Sequence, residues 1–475
     1  MQKSQSHSST QVVTSLALSF LLIFLFSCSG RKEAHSWTRY LNNTGTYSSP
    51  RAVDLNKDGI LDIVIGAGGQ EEHHSDTAIL ALDGATGAVL WSLPGENQYV
   101  GSPLFCDITR DNIPDIFIGG RWAQLQAING STGQVIWSFY PERKNPEGSD
   151  GGWYNFTTPQ LVPDQDGDGL QDILVANGGD AHAAPFDLKR PAGRLLVLGS
   201  ATGKILANVA VPDGKETYMS MICEERPDKQ WRVWFGTGGE TIGGHLYRTT
   251  LKDIMNGDIS GASILASSDI KGFVAAPVLA DINEDGTNDV IINTATGLML
   301  AIDGTTDSLL WKIEFPGTEA YTMPAIGLFT GDSIPDFFAN FAIGTFPNLS
   351  RSIRFMVDGK TGKIQFQDTI PSFQYASAVA ADLDGDGYDE AIINQSELKR
   401  RQFDNKYYSY PLAFDLDGDN NFDVVYCAVQ YGNAQFDLQK PLGLLISRYQ
   451  TDMKIKRPAK WGAFMGSQYT SIYKR

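Results

Sequence analysis

The sequence predicts an all-β protein, a β-propeller of four-stranded antiparallel blades, with eight blades expected from the copy count. Three recurring patterns predict it: an acidic loop, a tyrosine-to-proline opening and a glycine-rich second hairpin.

The acidic loop is clearest at Asp382-Leu-Asp384-Gly-Asp386-Gly-Tyr-Asp-Glu390, with oxygen side chains at positions 1, 3, 5 and 9 and glycine at position 6. Alternate residues of a tight loop point inward, so carboxylates converge on one hard cation, and oxygen-only ligands suit calcium. The spacing recurs at Asp54, Asn56, Asp58 and Asp62, at Asp107, Thr109, Asp111 and Asp115, and at Asp164, Asp166, Asp168 and Asp172. It returns at Asp281, Asn283, Asp285 and Asp289 and at Asp415, Asp417, Asp419 and Asp423. Apolar, β-rich runs on either side place each loop between two strands. Up to six calcium ions are the expected cofactors, one for each of the six loops, and no organic cofactor is expected. Two further copies keep the strands without the ligands, one with Leu328 at the first position and one at Glu224-Glu-Arg-Pro-Asp-Lys229.

The opening Tyr47-Ser-Ser-Pro50 recurs at Tyr99…Pro103, Tyr154…Pro159, Tyr218…Met221, Phe273…Pro277, Tyr321…Pro324, Tyr375…Ala378 and Tyr408…Pro411. Most copies lie roughly 50 residues apart, the spacing of propeller blades. The seventh copy spans only Ala378 to Pro411, which leaves little room for an outer hairpin. The eight openings therefore predict eight blades, or seven if the last two copies share a sheet.

The elements follow in order. Residues 1–28 read as a processing signal: the apolar run Ser15 to Phe26 is too short to span a bilayer and ends at Cys28. Residues 29–44 read as a polar tether and 45–475 as the calcium-binding propeller. In the first blade, Tyr47 to Val53 enters the acidic loop, Leu61 to Gly66 leaves it, and Ala78 to Asp83 is the third strand. Gly84-Ala-Thr-Gly87 turns the chain into Ala88 to Trp91. This second hairpin recurs at Ala127 to Trp137, with looser copies at Ala301 to Trp311, Val357 to Phe366 and Val197 to Ala207. Asp and Thr can cap such a turn, glycine takes positive φ, and the tryptophan packs between blades.

Composition agrees: 42% hydrophobic residues and 49 glycines suit many short strands and tight turns. A net charge of −17 argues against nucleic acid as a partner. Cys106, Cys223 and Cys427 sit in apolar strand-like runs and read as buried free thiols.

The first hairpins resemble the FG-GAP/VCBS repeats of integrin α-type propellers. The second resemble the tryptophan-docking motif of quinoprotein dehydrogenases and related outer-membrane assembly lipoproteins. Leu25-Phe26-Ser27-Cys28 resembles a bacterial lipobox, which implies lipidation at Cys28 and an outer-membrane lipoprotein, periplasmic or surface-exposed, touching the membrane only through its lipid. An active quinoprotein resemblance would imply a quinone over a funnel calcium beneath adjacent cysteines, and no adjacent cysteines occur. A polysaccharide lyase or hydrolase is the rival enzyme reading, but the conspicuous carboxylates are committed to the loops.

Blade topology puts the acidic loops and glycine turns on one face and the irregular loops on the other. Those irregular loops are 68–77, 140–156, 178–191 and 236–245. They carry the candidate ligand-face residues His73, His74, Trp153, Tyr154, His182 and His245. Loops on a rigid scaffold are where binding concentrates. The expectation is a calcium-stabilised scaffold, not an enzyme, binding an envelope or extracellular protein or glycan.

Overall fold

The computed structural model describes residues 35–139, 152–180, 183–346, 348–371, 374–393, 404–406, 408–432 and 440–474. Within them the chain is a β-propeller of seven sheets, each of four or five antiparallel strands. The first blade runs Arg51–Val53, Asp62–Gly66, Ser75–Leu82 and Val89–Gly95, outward from the ring's axis. The second follows over 104–138, the third over 155–210, the fourth over 222–268, the fifth over 278–314 and the sixth over 318–370. The last blade is built from both ends of the chain: Leu412–Phe414, Asn421–Tyr431 and Gly443–Lys454 are joined by Trp37–Asn42 as outermost strand.

Two expectations are corrected here. The blades number seven, not eight: the seventh opening copy yields only a two-stranded sheet, Val379–Ala381 with Glu390–Ile392. Beyond it, the next described strand, Asp404–Lys406, pairs with Asn421–Tyr431 of the last blade. This two-stranded piece leans on the sixth blade, where Asp389 accepts from the Leu328 N–H and the Asp389 N–H donates to the Leu328 carbonyl, both at 2.8 Å. Leu328, at the first position of the degenerate acidic loop, thus clamps the neighbouring hairpin through its backbone. The second correction is that the expected tether, 29–44, contains the ring-closing strand Trp37–Asn42.

Blades hold each other through the second hairpin. Trp91 Nε1 donates to the Gly130 carbonyl at 2.9 Å and Trp137 Nε1 to Ser200 at 2.7 Å, each in the next blade. Trp311 reaches Gly359 at 2.8 Å, and Trp37 reaches Gly84 at 2.8 Å, which latches the last blade onto the first. The indoles lie flat on glycines: a Cβ at Gly133, which has φ +70°, would stand 2.5 Å from Trp91. Only glycine satisfies both the left-handed backbone and that close approach.

Where tryptophan is missing, other chemistry substitutes. Between the fourth and fifth blades, Arg248 pairs with Asp307 and Arg232 Nη1 donates to Gly304 at 3.0 Å. Between the third and fourth, the helix Leu251–Met255 buries Leu251 and Ile254 in a cluster with Ala207, the residue at the tryptophan position. Thr250 caps this helix by accepting from the Asp253 N–H at 3.1 Å. Cys223 and Cys427 are buried free thiols, as expected, and Cys106 is half-buried.

Candidate functional site

The two ends of the central channel differ. At the acidic-loop end, the ninth residue is a buried staple in five of the loops. Asp62 Oδ2 accepts from Leu55 within its loop at 2.9 Å, and Oδ1 accepts from Gly84 of the second hairpin at 2.8 Å. Asp115, Asp172 and Asp289 repeat this with Ile108 and Gly130, Gln165 and Ser200, and Ile282 and Gly304. Asp336 does the same with Phe329 and Gly359, although its loop lacks the first aspartate. Position 9 thus ties the two hairpins of a blade together whether or not the rest of the ligand set is present. Burial pushes Asp62, Asp289 and Asp423 up to about 6, against the pull of these backbone N–H groups.

The remaining loop oxygens fold the loops locally. Asp54 accepts from Lys57 and Gly59, and Asp58 accepts from Ile60; equivalent bonds recur at Asp107, Asp111, Asp281 and Asp285. Asn56, Thr109 and Asn283 replace the third-position carboxylate in three loops. In three others, carboxylate oxygens approach within 4.8 Å of one another: Asp164, Asp166 and Asp172; Asp382, Asp384 and Glu390; Asp415, Asp417 and Asp423. The third of these already holds a cation: the buried Arg448 guanidinium bridges Asp417 at 2.9 Å and Asp423 at 3.0 Å. Arg457 likewise pairs with Asp382 at 3.1 Å. In the 164–172 loop no side-chain cation reaches a carboxylate among the described residues, and Asp168 accepts from the Leu170 N–H at 2.8 Å, so Asp164, Asp166 and Asp172 cluster without a side-chain counter-ion.

The channel at this end is plugged by the chain's own last described segment. Trp461, Met465 and Tyr473 are buried. The Trp461 carbonyl accepts from Ala380 at 2.9 Å and the Gly462 carbonyl from Ala413 at 2.7 Å. Leu279 pairs with Ser471 and Tyr473, and the Ala52 N–H donates to Tyr469 Oη at 3.2 Å. These partners are first strands from all around the ring, so the segment lies on the axis. Arg51, fully buried, donates to the Pro103 carbonyl at 2.6 Å and stacks over the Tyr469 ring at 4.2 Å. Above the plug, hydroxyls stitch neighbouring first strands: Ser49 to Ser102 at 3.0 Å, Ser102 to Thr158 at 3.0 Å, Thr158 to Ser220 at 3.3 Å.

The opposite end is a tyrosine-lined mouth. The aromatic residue of each opening, a tyrosine in all copies but Phe273, sits where its first strand starts, on the face opposite the acidic loops. Tyr321 stacks on Tyr375 with centroids 5.5 Å apart, Tyr375 meets Tyr408 at 5.7 Å, and Tyr408 meets Tyr47 at 4.7 Å and Tyr431 at 6.4 Å. Charged groups complete the rim. Arg121 pairs with Glu71 at 2.8 Å, Arg190 with Glu216 at 2.9 Å, and Lys271 with Glu319. Tyr321 donates to Glu319 at 2.6 Å. Burial, first of all, raises the pKa of the Tyr47, Tyr218 and Tyr321 phenols, so they stay protonated donors.

Three of the expected irregular loops deliver residues to this mouth: Glu71, Arg190 and Glu240. The histidines named from sequence do not converge. His73 and His74 are exposed in the first blade, bonded to the Glu71 carbonyl at 2.8 Å and Asp76 at 3.3 Å. His245 bonds Ser267 of its own blade at 2.7 Å. Among the described residues no metal-binding group includes a histidine, and His182 and Cys28 lie outside those residues. Trp153 packs edge-on against Phe139 at 5.1 Å and under Arg194, and the Tyr154 carbonyl accepts from Ala123 at 2.7 Å. Of the opening tyrosines only Tyr154 is assigned to the ligand face from sequence, and Tyr47, Tyr218, Tyr321 and Tyr375 are added by the structure. Their recurrence at one position was the available signal.

A family model described as the FAM234A/B beta-propeller matches residues 37–186, beginning at the ring-closing strand. Protein FAM234B of Mus musculus is 24% identical over 394 residues, covering 76% of this chain and 58% of the relative. Protein FAM234B of Homo sapiens is 23% identical, covering 75% and 58%. The chain thus spans less than two thirds of the length of these curated relatives. Among solved structures, a quinohemoprotein alcohol dehydrogenase from Comamonas testosteroni matches at 12% identity and TM-score 0.53, over 88% of this chain and 76% of that one. That likeness shows the fold alone. The relatives named are FAM234 beta-propellers, not FG-GAP/VCBS proteins. They come from mouse and human, which overturns the expected placement as a bacterial outer-membrane lipoprotein. No helix among the described residues is long and apolar enough to cross a membrane. The chain is similar to FAM234 beta-propellers, and the matched stretch begins at the strand that closes its own ring.

Proposed function

We propose that this chain is a non-catalytic binding protein that presents a ligand-engaging mouth on one face and keeps the other face structural, with calcium in the acidic loops. The observation that carries the reading is the asymmetry of the channel: Trp461 and Met465 close one end, while half-buried tyrosines and paired charges line the other. Among the described residues, the carboxylates of the closed end are held by backbone N–H groups, and those of two loops also by Arg448 or Arg457. The partner would be a protein or glycan. Its test is a photo-crosslinking residue placed either at Glu72, in the loop that carries Glu71, or at Lys57, in an acidic loop, in cells expressing the chain. Discrete adducts are expected from position 72 and none from position 57; the reverse pattern would contradict the reading.

Calcium in this reading is a staple, with Asp164, Asp166, Asp168 and Asp172 as the first loop to fill. Bound calcium would neutralise the clustered carboxylates and fix the strands that the loop joins. One site at a hundredfold excess over its dissociation constant stabilises by ~2.7 kcal/mol. Chelator is expected to lower the melting temperature and calcium to restore it. Asp168→Asn keeps an acceptor for the Leu170 N–H, so it should blunt the calcium response without moving the chelated melt, whereas Asp332→Asn should do neither. A melt unmoved by chelator would reduce the loops to self-capped acidic turns.

A further inference from the structure

Among the described residues the mouth carries a glutamate beyond those paired with a cation. Glu71, Glu216 and Glu319 each have a cation within ion-pairing distance: Arg121, Arg190 and Lys271. Glu240 has no hydrogen bond or ion pair among the described residues, although it is half-buried. Its loop runs between the Glu216 and Lys271 sides of the mouth, against the Tyr218 ring. Gly238 and Gly239, just before it, press on the Glu216 side of the mouth: the Gly238 N–H donates to the Glu216 carbonyl at 2.8 Å, and a Cβ on Gly239 would stand 2.5 Å from Glu216 Oε1. The Gly272 N–H, next to Lys271, donates to the Gly239 carbonyl at 2.8 Å.

Electrostatics agree with that placement. Burial raises the Glu240 carboxyl, Lys271 and Arg121 pull it down, and Glu319 and Glu71 push it up. Glu240 in turn acts on the phenols of Tyr47, Tyr218, Tyr321 and Tyr375, which belong to different parts of the ring. The two cations that pull on Glu240, Lys271 and Arg121, are each already paired with another glutamate.

An unpaired, partly desolvated carboxylate beside aromatic faces is the chemistry that receives an ammonium ion: the carboxylate supplies the counter-charge and the ring quadrupoles supply attraction that tolerates desolvation. Lys271 already shows the arrangement internally, with its ammonium 5.8 Å from the Tyr321 ring centroid and bonded to Glu319. We propose that the mouth binds one alkylammonium group, seated at Glu240 and covered by the tyrosine arc. This rests on the binding reading above and names the ligand chemistry. The group can come from a lysine side chain of a partner polypeptide or from a free small amine.

The test is calorimetric titration of the full chain with butylammonium, butyrate and butanol, and with the N-acetylated, C-amidated peptides Gly-Lys-Gly and Gly-norleucine-Gly, in which the lysine side chain is the one ammonium group. Butylammonium and the lysine peptide are expected to bind, and butyrate, butanol and the norleucine peptide are not. Tighter binding of the lysine peptide than of butylammonium identifies a polypeptide partner; equal binding identifies a free amine. Glu240→Gln, with its melt checked against wild type, is expected to weaken ammonium binding at least about tenfold, while Glu314→Gln, on an exposed outer strand, leaves it unchanged. Should Glu240→Gln fail to fold, the wild-type preference for butylammonium over butyrate and butanol still decides. Equal binding of cation and anion, or wild-type binding by a folded Glu240→Gln, overturns the proposal. A mouth that crosslinks a partner yet ignores ammonium ions sinks this inference and leaves the binding reading intact.

Discussion

Removing residues 35–44 is expected to abolish cooperative folding. Trp37–Asn42 is the outer strand of the last blade, in register from Trp37 opposite Arg448 to Asn42 opposite Gly443. The same strand carries the indole that donates to Gly84 of the first blade and rests on Gly87. Without it the ring loses a strand and a latch at one seam. The twelve-residue strand Gly443–Lys454 would become an open edge, a template for aggregation. Losing the packing of half-buried Trp37 alone should cost about 2 kcal/mol, so Trp37→Ala should lower the unfolding midpoint and leave the ring closed. The full deletion also gives up the strand's pairing, against a total stability of about 5–15 kcal/mol for a typical domain. Denaturant unfolding with sedimentation checks both: a cooperative, monomeric deletion variant would show that the seam closes without this strand.

Trp461→Ala is expected to be the most damaging single substitution in the plug, at about 3–5 kcal/mol, the range for a large buried aromatic cut to alanine. Trp461 is 1% exposed and packs in the core cluster that unites the fifth and sixth blades with the short hairpin and the last blade. Its carbonyl holds Ala380, and Gly466 lies close enough that a Cβ there would stand 3.0 Å from the indole. A cavity at this point loosens the segment that covers Arg51, a buried cation whose described contacts are a carbonyl, a ring face and the Met465 sulfur. Urea unfolding of the variant measures the cost. A loss below about 1 kcal/mol would mean that the segment rests on the ring without filling its axis.

The blades were legible because their signals are local. Alternating apolar runs, the acidic loop and the Gly-x-x-Gly turn each act within a few residues, so Asp62, Gly87 and Trp91 could be placed from sequence. What was not legible is closure. Trp37 looked like part of a polar tether because its partners, Arg448 and Gly84, lie far away in sequence or across a blade seam. The plug was missed for the same reason: Trp461 and Met465 have no strand periodicity, and their meaning depends on a ring already formed around them. The blade count failed where an opening motif was present without an outer hairpin, at Tyr375 to Ile392. On the loops, spacing placed the ligand set but could not show that Arg448 stands among the carboxylates of one of them. The irregular loops were assigned to the correct face, yet attention went to their histidines. The convergent groups are Glu71, Arg190 and Glu240, with the tyrosines beneath them.

The account turns on one channel having a closed structural end and an open binding end. Hydroxyl-radical footprinting of the native chain, read residue by residue, tests that directly. The account predicts fast modification of Tyr218, Tyr321 and Tyr375 at the mouth and protection of Trp461 and Met465 in the plug, although methionine and tryptophan are intrinsically as reactive as tyrosine. Oxidation of Trp461 or Met465 as fast as Tyr321 would contradict it.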